Sequence, residues 1–266
     1  MVRSDHPGVH RRKEWIRTLG PMKVAIHQPC FLPWLGYLDR MRRSDLFVLL
    51  DHVQFERRGY QNRTSIRVED EARWLTVPVV QVSQKETIIE KRVDNPPEPL
   101  DRWWGTKHFQ TLRFAYRKAP FFREYAPRVQ EILETRHEKL VDVNQAMLDF
   151  LREAYAIKTP LVRSSQLQVE GQRSGLLLDV CKVVGAKTFL GGMGGSRTYL
   201  DQAEFDRSGV GVEWQAFEHP KYVQCGAAGF IPGLSALDML FNCGPDSRAL
   251  LLGQGVARRE SLAEVS

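Results

Sequence analysis

Seven histidines are spread along the 266 residues, and three of them, His27, His52 and His219, follow short apolar runs at the point where a polar loop begins. Loops at strand ends carry binding and catalytic groups more often than helix faces do. An imidazole with a pKa near neutrality suits removal of a proton from an amine or a hydroxyl. His27, oriented by the carboxylate of Asp51, is the first candidate for such a base, and His219 is a further catalytic candidate. The competing reading is that His27 only hydrogen-bonds the backbone of its loop. Cys30 lies three residues after His27, and a thiolate there could carry an acyl group if the histidine lowered its pKa. A small buried residue in a tight loop explains the same cysteine.

Around these groups stand candidate substrate contacts. Gln28, Trp34 and Gln54 flank the histidines, and Arg58, Asn62 and Arg63 lie in the basic, turn-rich loop ERRGYQNR. Gln224 follows His219. The arginines suit an anionic group, and Asn62 suits a developing oxyanion. Residues 191–195, GGMGG, contain four glycines in five positions. The backbone amides of Gly192, Met193, Gly194 and Gly195 can face an anion; a turn without a ligand is the alternative. No Gly-Lys-Ser/Thr follows, and the spacing is not GxGxxG, so neither nucleotide fingerprint is present. No metal-ligand spacing joins the histidines to Asp51.

The elements that must hold these residues are legible from periodicity. Residues 23–27 form a short buried strand, and two prolines within residues 28–33 end it. From Trp34 the period becomes helical, with Trp34, Tyr37, Leu38 and Met41 on one face and Asp39, Arg40, Arg42 and Arg43 off it. Residues 46–50 are a second strand running into Asp51. Such a βαβ unit places His27, Gln28, Asp51, His52 and Gln54 at one edge of a parallel sheet, where α/β proteins bind ligands. Residues 64–68 and 74–80 read as an antiparallel hairpin on the edge of that sheet. Residues 100–157 form a helical insertion whose aromatic residues are spaced as one buried face. Strand and helix then alternate again, with Ser174 and Ser235 as helix caps and Gly185 as a helix stop. The expected fold is α/β, a Rossmann-like, mostly parallel sheet with a β-hairpin and a helical insertion. It spans residues 22–253 as one domain, with a flexible extension over 1–21 and a frayed tail over 254–266.

Bulk properties narrow the function classes. With 42% hydrophobic residues the chain can bury a large core. A net charge of +6 is modest, the arginines read as solvated helix faces, and there is no basic run or nucleic-acid motif. No apolar stretch approaches the roughly 18 residues of a membrane span, and no signal peptide is visible. Four cysteines without CxxC spacing fit reduced thiols in the cytoplasm.

The pieces IHQPCFLPWLGYLDR, DHVQFERRGYQNR, FLGGMGGSRTYL and LSALDMLFN together resemble the WbqC-like family over residues 22–244. Two positions depart from the family's pattern: Cys30 stands where Asn is expected, which argues against a shared thiol mechanism, and His52 stands where a second Asp is expected. The resemblance implies a setting in surface-polysaccharide or amino-sugar natural-product biosynthesis. The activity it implies is transfer of an aminoacyl group, notably glycyl, to a sugar amine. A more distant similarity is to the HxGH adenylyl-transferring α/β enzymes such as pantothenate synthetase, with Trp34 and Tyr37 at the positions of the two motif histidines. That kinship implies a retained sheet, lost adenylylation and a groove suited to a phosphopantetheine-linked donor. The expected partners are therefore an amino sugar and an acyl or peptidyl carrier protein, with no cofactor fixed by any motif. The alternatives are a non-catalytic sugar-nucleotide or carrier-protein binding module and an ATP-using amide-forming enzyme.

Overall fold

A computed structural model describes residues 22–254 apart from Glu98, Leu100, Asp101, Met193, Ala227 and Ala228. The expected N-terminal extension and all but the first residue of the expected tail lie outside the described residues, as does Met193. The chain folds as a mixed α/β structure around five parallel strands in the order β5-β2-β1-β6-β7. These are β1 (Met22–His27), β2 (Leu46–Leu49), β5 (Leu161–Arg163), β6 (Ala186–Gly191) and β7 (Gly211–Trp214). β1 pairs with β2 from Val24↔Leu46 to His27↔Leu49, and with β6 on its other side.

Side chains alternate across this sheet and divide the core in two. Met22, Val24, Ile26, Leu46, Val48 and Leu50 point to one face, under α5 (Arg173–Val184) and Phe205. Ala25, Phe47 and Leu49 point to the other, under α1 (Leu35–Arg42) and the helical block. Both faces are covered, which is why the strands read as continuous apolar runs rather than alternating ones.

The helical block consists of α2 (Trp104–Tyr116), α3 (Phe122–Glu134) and α4 (Leu140–Ala154), and α8 (Ala236–Cys243) packs against it. Trp103, Tyr116, Phe122, Phe150 and Phe241 are buried here, so the aromatic density is core rather than a stacking surface. The hairpin differs from expectation in two ways. β3 (Arg63–Val68) and β4 (Glu71–Thr76) form a separate two-stranded sheet, not an extension of the main one. Its turn is also tighter, with Glu69 at φ 56 and Val68 paired directly to Glu71. The hairpin is anchored by side chains instead: Thr64 Oγ1 donates to Leu32 O at 2.7 Å, and Tyr116 Oη accepts from Arg67 N at 3.0 Å.

Ser235 accepts from Leu237 N and caps α8, whereas the N-cap of α5 is Gln172, two residues before the expected Ser174. Ser174 therefore lies inside α5 and its hydroxyl accepts from Asp201 N at 2.9 Å. Gly185 ends α5 in the left-handed conformation, φ 75, that a residue without a Cβ adopts freely. No helix among the described residues is long and apolar enough to cross a membrane.

Candidate functional site

The strand order reverses between β1 and β6. After β1 the chain leaves toward α1, on the face of the larger core; after β6 it leaves toward α6 (Ser196–Tyr199) and α7 (Gln202–Arg207), whose Phe205 belongs to the opposite core. Loops diverging from adjacent parallel strands open a crevice at their carboxyl ends. A cavity of about 540 Å³ occupies this crevice. It is lined by His27, Gln28 and Trp34 from the first loop, Arg40 from α1, and Gly192, Gly194 and Gly195 from the glycine loop. Tyr60, Tyr199, Gln215 and Phe217 complete the wall, and Glu56 stands at its margin.

His27 Nδ1 lies 2.9 Å from Gln28 O. A carbonyl only accepts, so Nδ1 carries the proton and Nε2 keeps its lone pair. The ring packs edge-on against Tyr37 and Trp34, with centroids 4.8 and 5.7 Å away. Burial, and then the charge of Arg40, lower its pKa to about 3, so the imidazole is neutral at physiological pH. Cys30 Sγ sits 3.9 Å from the same Nδ1 and donates to Gln28 O at 3.5 Å. Burial pushes its thiol up to about 12.

The expected His27–Asp51 pair does not form. Asp51 is fully buried, and its carboxylate accepts from Ser164 Oγ at 3.0 Å, Ser165 N at 2.8 Å and Ser165 Oγ at 2.8 Å. His52 Nδ1 meets Ser164 Oγ at 2.6 Å. Both groups meet Ser164, just past the end of β5, and β5 pairs with β2 on the side away from β1. Adjacency of two strand ends, which was correct, did not make their side chains converge.

Other expected contacts also lie elsewhere. Asn62 is buried and donates to Val77 O at 2.9 Å within the hairpin, so its amide is not an oxyanion donor. Gln54 donates to Gln84 O on the exposed side of its loop. Arg58 is exposed with its carbonyl accepting from Arg63, and Arg63 lies over the Trp74 ring at 4.2 Å. Neither arginine lines the cavity. His219 turns into a ring cluster with Phe217, Tyr222 and Phe230, its Nδ1 on Pro220 O. Gln224 donates to Asp238 Oδ1 at 2.8 Å, beside Tyr222 and Tyr116, in a buried network that holds the 219–233 loop to α8.

Arg40 is the cavity residue that periodicity missed. Its place off the apolar stripe reads as a solvated helix face, yet α1 is covered on both sides and only 8% of Arg40 is exposed. The available signal was Gly36, one turn earlier on the same face: a glycine there lets Trp34 and Phe217 come close, so that face is a wall and not a surface. The glycine loop is shaped the same way. A Cβ on Gly191 would come within 2.7 Å of the Trp214 ring, and one on Gly192 within 2.6 Å of Arg40 Cζ.

Comparison with known proteins reaches this same set of segments. Residues 28–250 match the WbqC-like protein family. The chain is also 30% identical over 227 residues to the uncharacterized protein Rv1507c of Mycobacterium tuberculosis (strain ATCC 25618 / H37Rv), an alignment covering 85% of this chain and 95% of that protein. No solved structure matches. The family match takes in the loop after β1, α1 with Arg40, the loop after β6 and the strand end at Phe217, which are the four walls of the cleft, and on that extent of agreement the chain belongs to the WbqC-like protein family.

Proposed function

We propose that the β1/β6 cleft transfers an aminoacyl group, glycyl being the simplest, from an activated donor such as a carrier-bound thioester to the amine of an amino sugar or amino-sugar nucleotide. The observation that carries this reading is His27: its Nδ1–H is fixed on Gln28 O, which leaves the Nε2 lone pair for a substrate at the bottom of a cavity of substrate size. The amine nitrogen attacks the thioester carbonyl, the C–N bond forms and the C–S bond breaks. The proton lost by nitrogen passes by way of His27 Nε2 to the departing thiolate. An imidazole of such low basicity accepts the hydrogen bond and hands the proton on without resting as imidazolium. The orienting group is the Gln28 carbonyl, in place of Asp51. Backbone amides at Gly192, Gly194 and Gly195 are the candidates for holding the oxyanion. Trp34, Tyr60 and Phe217 offer ring faces to a sugar.

The test is incubation of the purified protein with a glycyl carrier-protein thioester and a panel of amino-sugar nucleotides, followed by mass spectrometry. Amide product is expected, lost in His27→Ala while acceptor binding persists. No amide across the panel would overturn the reading. The low basicity of His27 also favours a second reading, a module that binds a sugar nucleotide without chemistry; binding of the nucleotide that His27→Ala leaves unchanged, with no turnover in the wild type, would select it.

A further inference from the structure

The guanidinium at the cleft floor makes no ion pair among the described residues, and Asp39 acts on it only through its charge. Arg40 reaches from α1 to lie against the backbone of Gly192, and no hydrogen bond or ion pair to its guanidinium is made among the described residues. Its Nε is buried and without an acceptor. The nearest acid along the chain, Asp39, is fully buried and already taken: Arg42 reaches it at 2.6 Å, Arg43 Nε at 3.0 Å and Gln215 Nε2 at 2.7 Å. The remaining ionisable groups around Arg40 are His27, Cys30 and Tyr37, none of them anionic at neutral pH. Glu56 lines the same cavity, but at its exposed margin.

Folded proteins pair a buried cation or let it neutralise, and an arginine does not neutralise. We infer that Arg40 is the receptor for an oxyanion of the cleft's ligand, a carboxylate or a phosphate, seated on the cavity side of the guanidinium, which the Gly192 backbone supports from behind. The planar fork of arginine takes either group through two parallel hydrogen bonds. Gly192 is required because any side chain there would fill the space the guanidinium occupies. The rings of Trp34, Tyr60 and Phe217 then meet the uncharged part of the same molecule, so the fitting ligand is a sugar or nucleoside that carries an acidic group. The inference stands whether or not the cleft transfers an acyl group.

The experiment titrates the full chain with inorganic phosphate, sulfate and acetate separately, by calorimetry and by NMR of the arginine side-chain Nε–H resonances. Saturable binding with a shifted Arg40 resonance is expected, and more than about tenfold weaker binding in Arg40→Gln. Exposed Arg58→Gln serves as the charge control and should bind as the wild type does. Phosphate and sulfate binding alone identifies a phosphate-bearing ligand, and acetate binding alone a carboxylate. In anion-free buffer Arg40→Gln should melt no lower than the wild type, since it removes an uncompensated charge. Failure of all three anions to move the Arg40 resonance in the wild type would overturn the inference, as would equal weakening by Arg58→Gln. None of these outcomes depends on whether an amide product is ever found.

Discussion

Cys30 and His27 show how surroundings decide what a reactive side chain can do. A thiol three residues from an imidazole suggests an activated nucleophile, yet both groups are desolvated, and burial acts on each against its charged form. The thiol is raised and the imidazole lowered, so the pair does not form thiolate and imidazolium. The thiol also donates to Gln28 O, which helps fix the loop from which His27 projects. Iodoacetamide at mildly alkaline pH should therefore leave Cys30 unmodified under native conditions, with peptide mass mapping as the measurement; rapid alkylation of Cys30 would contradict this assignment. Asp51 illustrates the same point for a carboxylate. Its two oxygens are saturated by Ser164 and Ser165, and it joins the end of β2 to the end of β5.

Among the elements, the short loop after β1 is the most constrained. Leu32 sits at φ 46, a conformation costly for a residue with a Cβ, and it is held there by complete burial and by Thr64 Oγ1 on its carbonyl. Ala236 N donates to Pro33 O and Ser235 N to Ser65 O, so α8, the hairpin and the loop brace one another. The helical block supports this from behind, and its tightest contact is at Gly105 in α2. A Cβ there would overlap the Leu133 carbonyl and lie 2.7 Å from the Trp103 ring. Gly105→Ala should destabilise by about 1–3 kcal/mol through overpacking, despite alanine's better helix propensity. Thermal unfolding should register a lower Tm, about 2–4 °C for each kcal/mol in a chain of this size. An unchanged or raised Tm would show that α2 and α3 are not packed this closely.

For the whole molecule, the histidines set the response to acid. His27 is lowered to about 3 and His108 to about 4, each mainly by burial, from an ordinary 6.5. Between those values the unfolded chain binds protons that the folded chain does not, so stability rises with pH there and is fully present above about 6.5. Chemical denaturation followed from neutral pH downward should show stability falling once pH drops below about 6.5. His27→Gln should flatten that fall, and an identical slope in the variant would show that His27 is not buried as a neutral ring. Asp238 runs the other way: burial raises its carboxyl, so its share of the stability is present at low pH and weakens as pH rises through its folded value.

The sequence by itself determined the buried strands, the helix stops, the parallel sheet and the edge at which the cleft opens, since apolar runs, prolines and a capping glycine act over a few residues. It also placed His27, Gln28, Trp34 and the glycine loop at that edge, because each directly follows a strand or opens a helix. Which of those side chains share a cavity was decided by tertiary structure alone. Asp51 faces β5, and Asn62 and Gln224 serve the hairpin and α8, through partners 14 to 114 residues away. Arg40 had to wait for the same information: a cation on a short helix reads as solvated until the loop after β6, some 150 residues on, closes over it and leaves its Nε without an acceptor among the described residues.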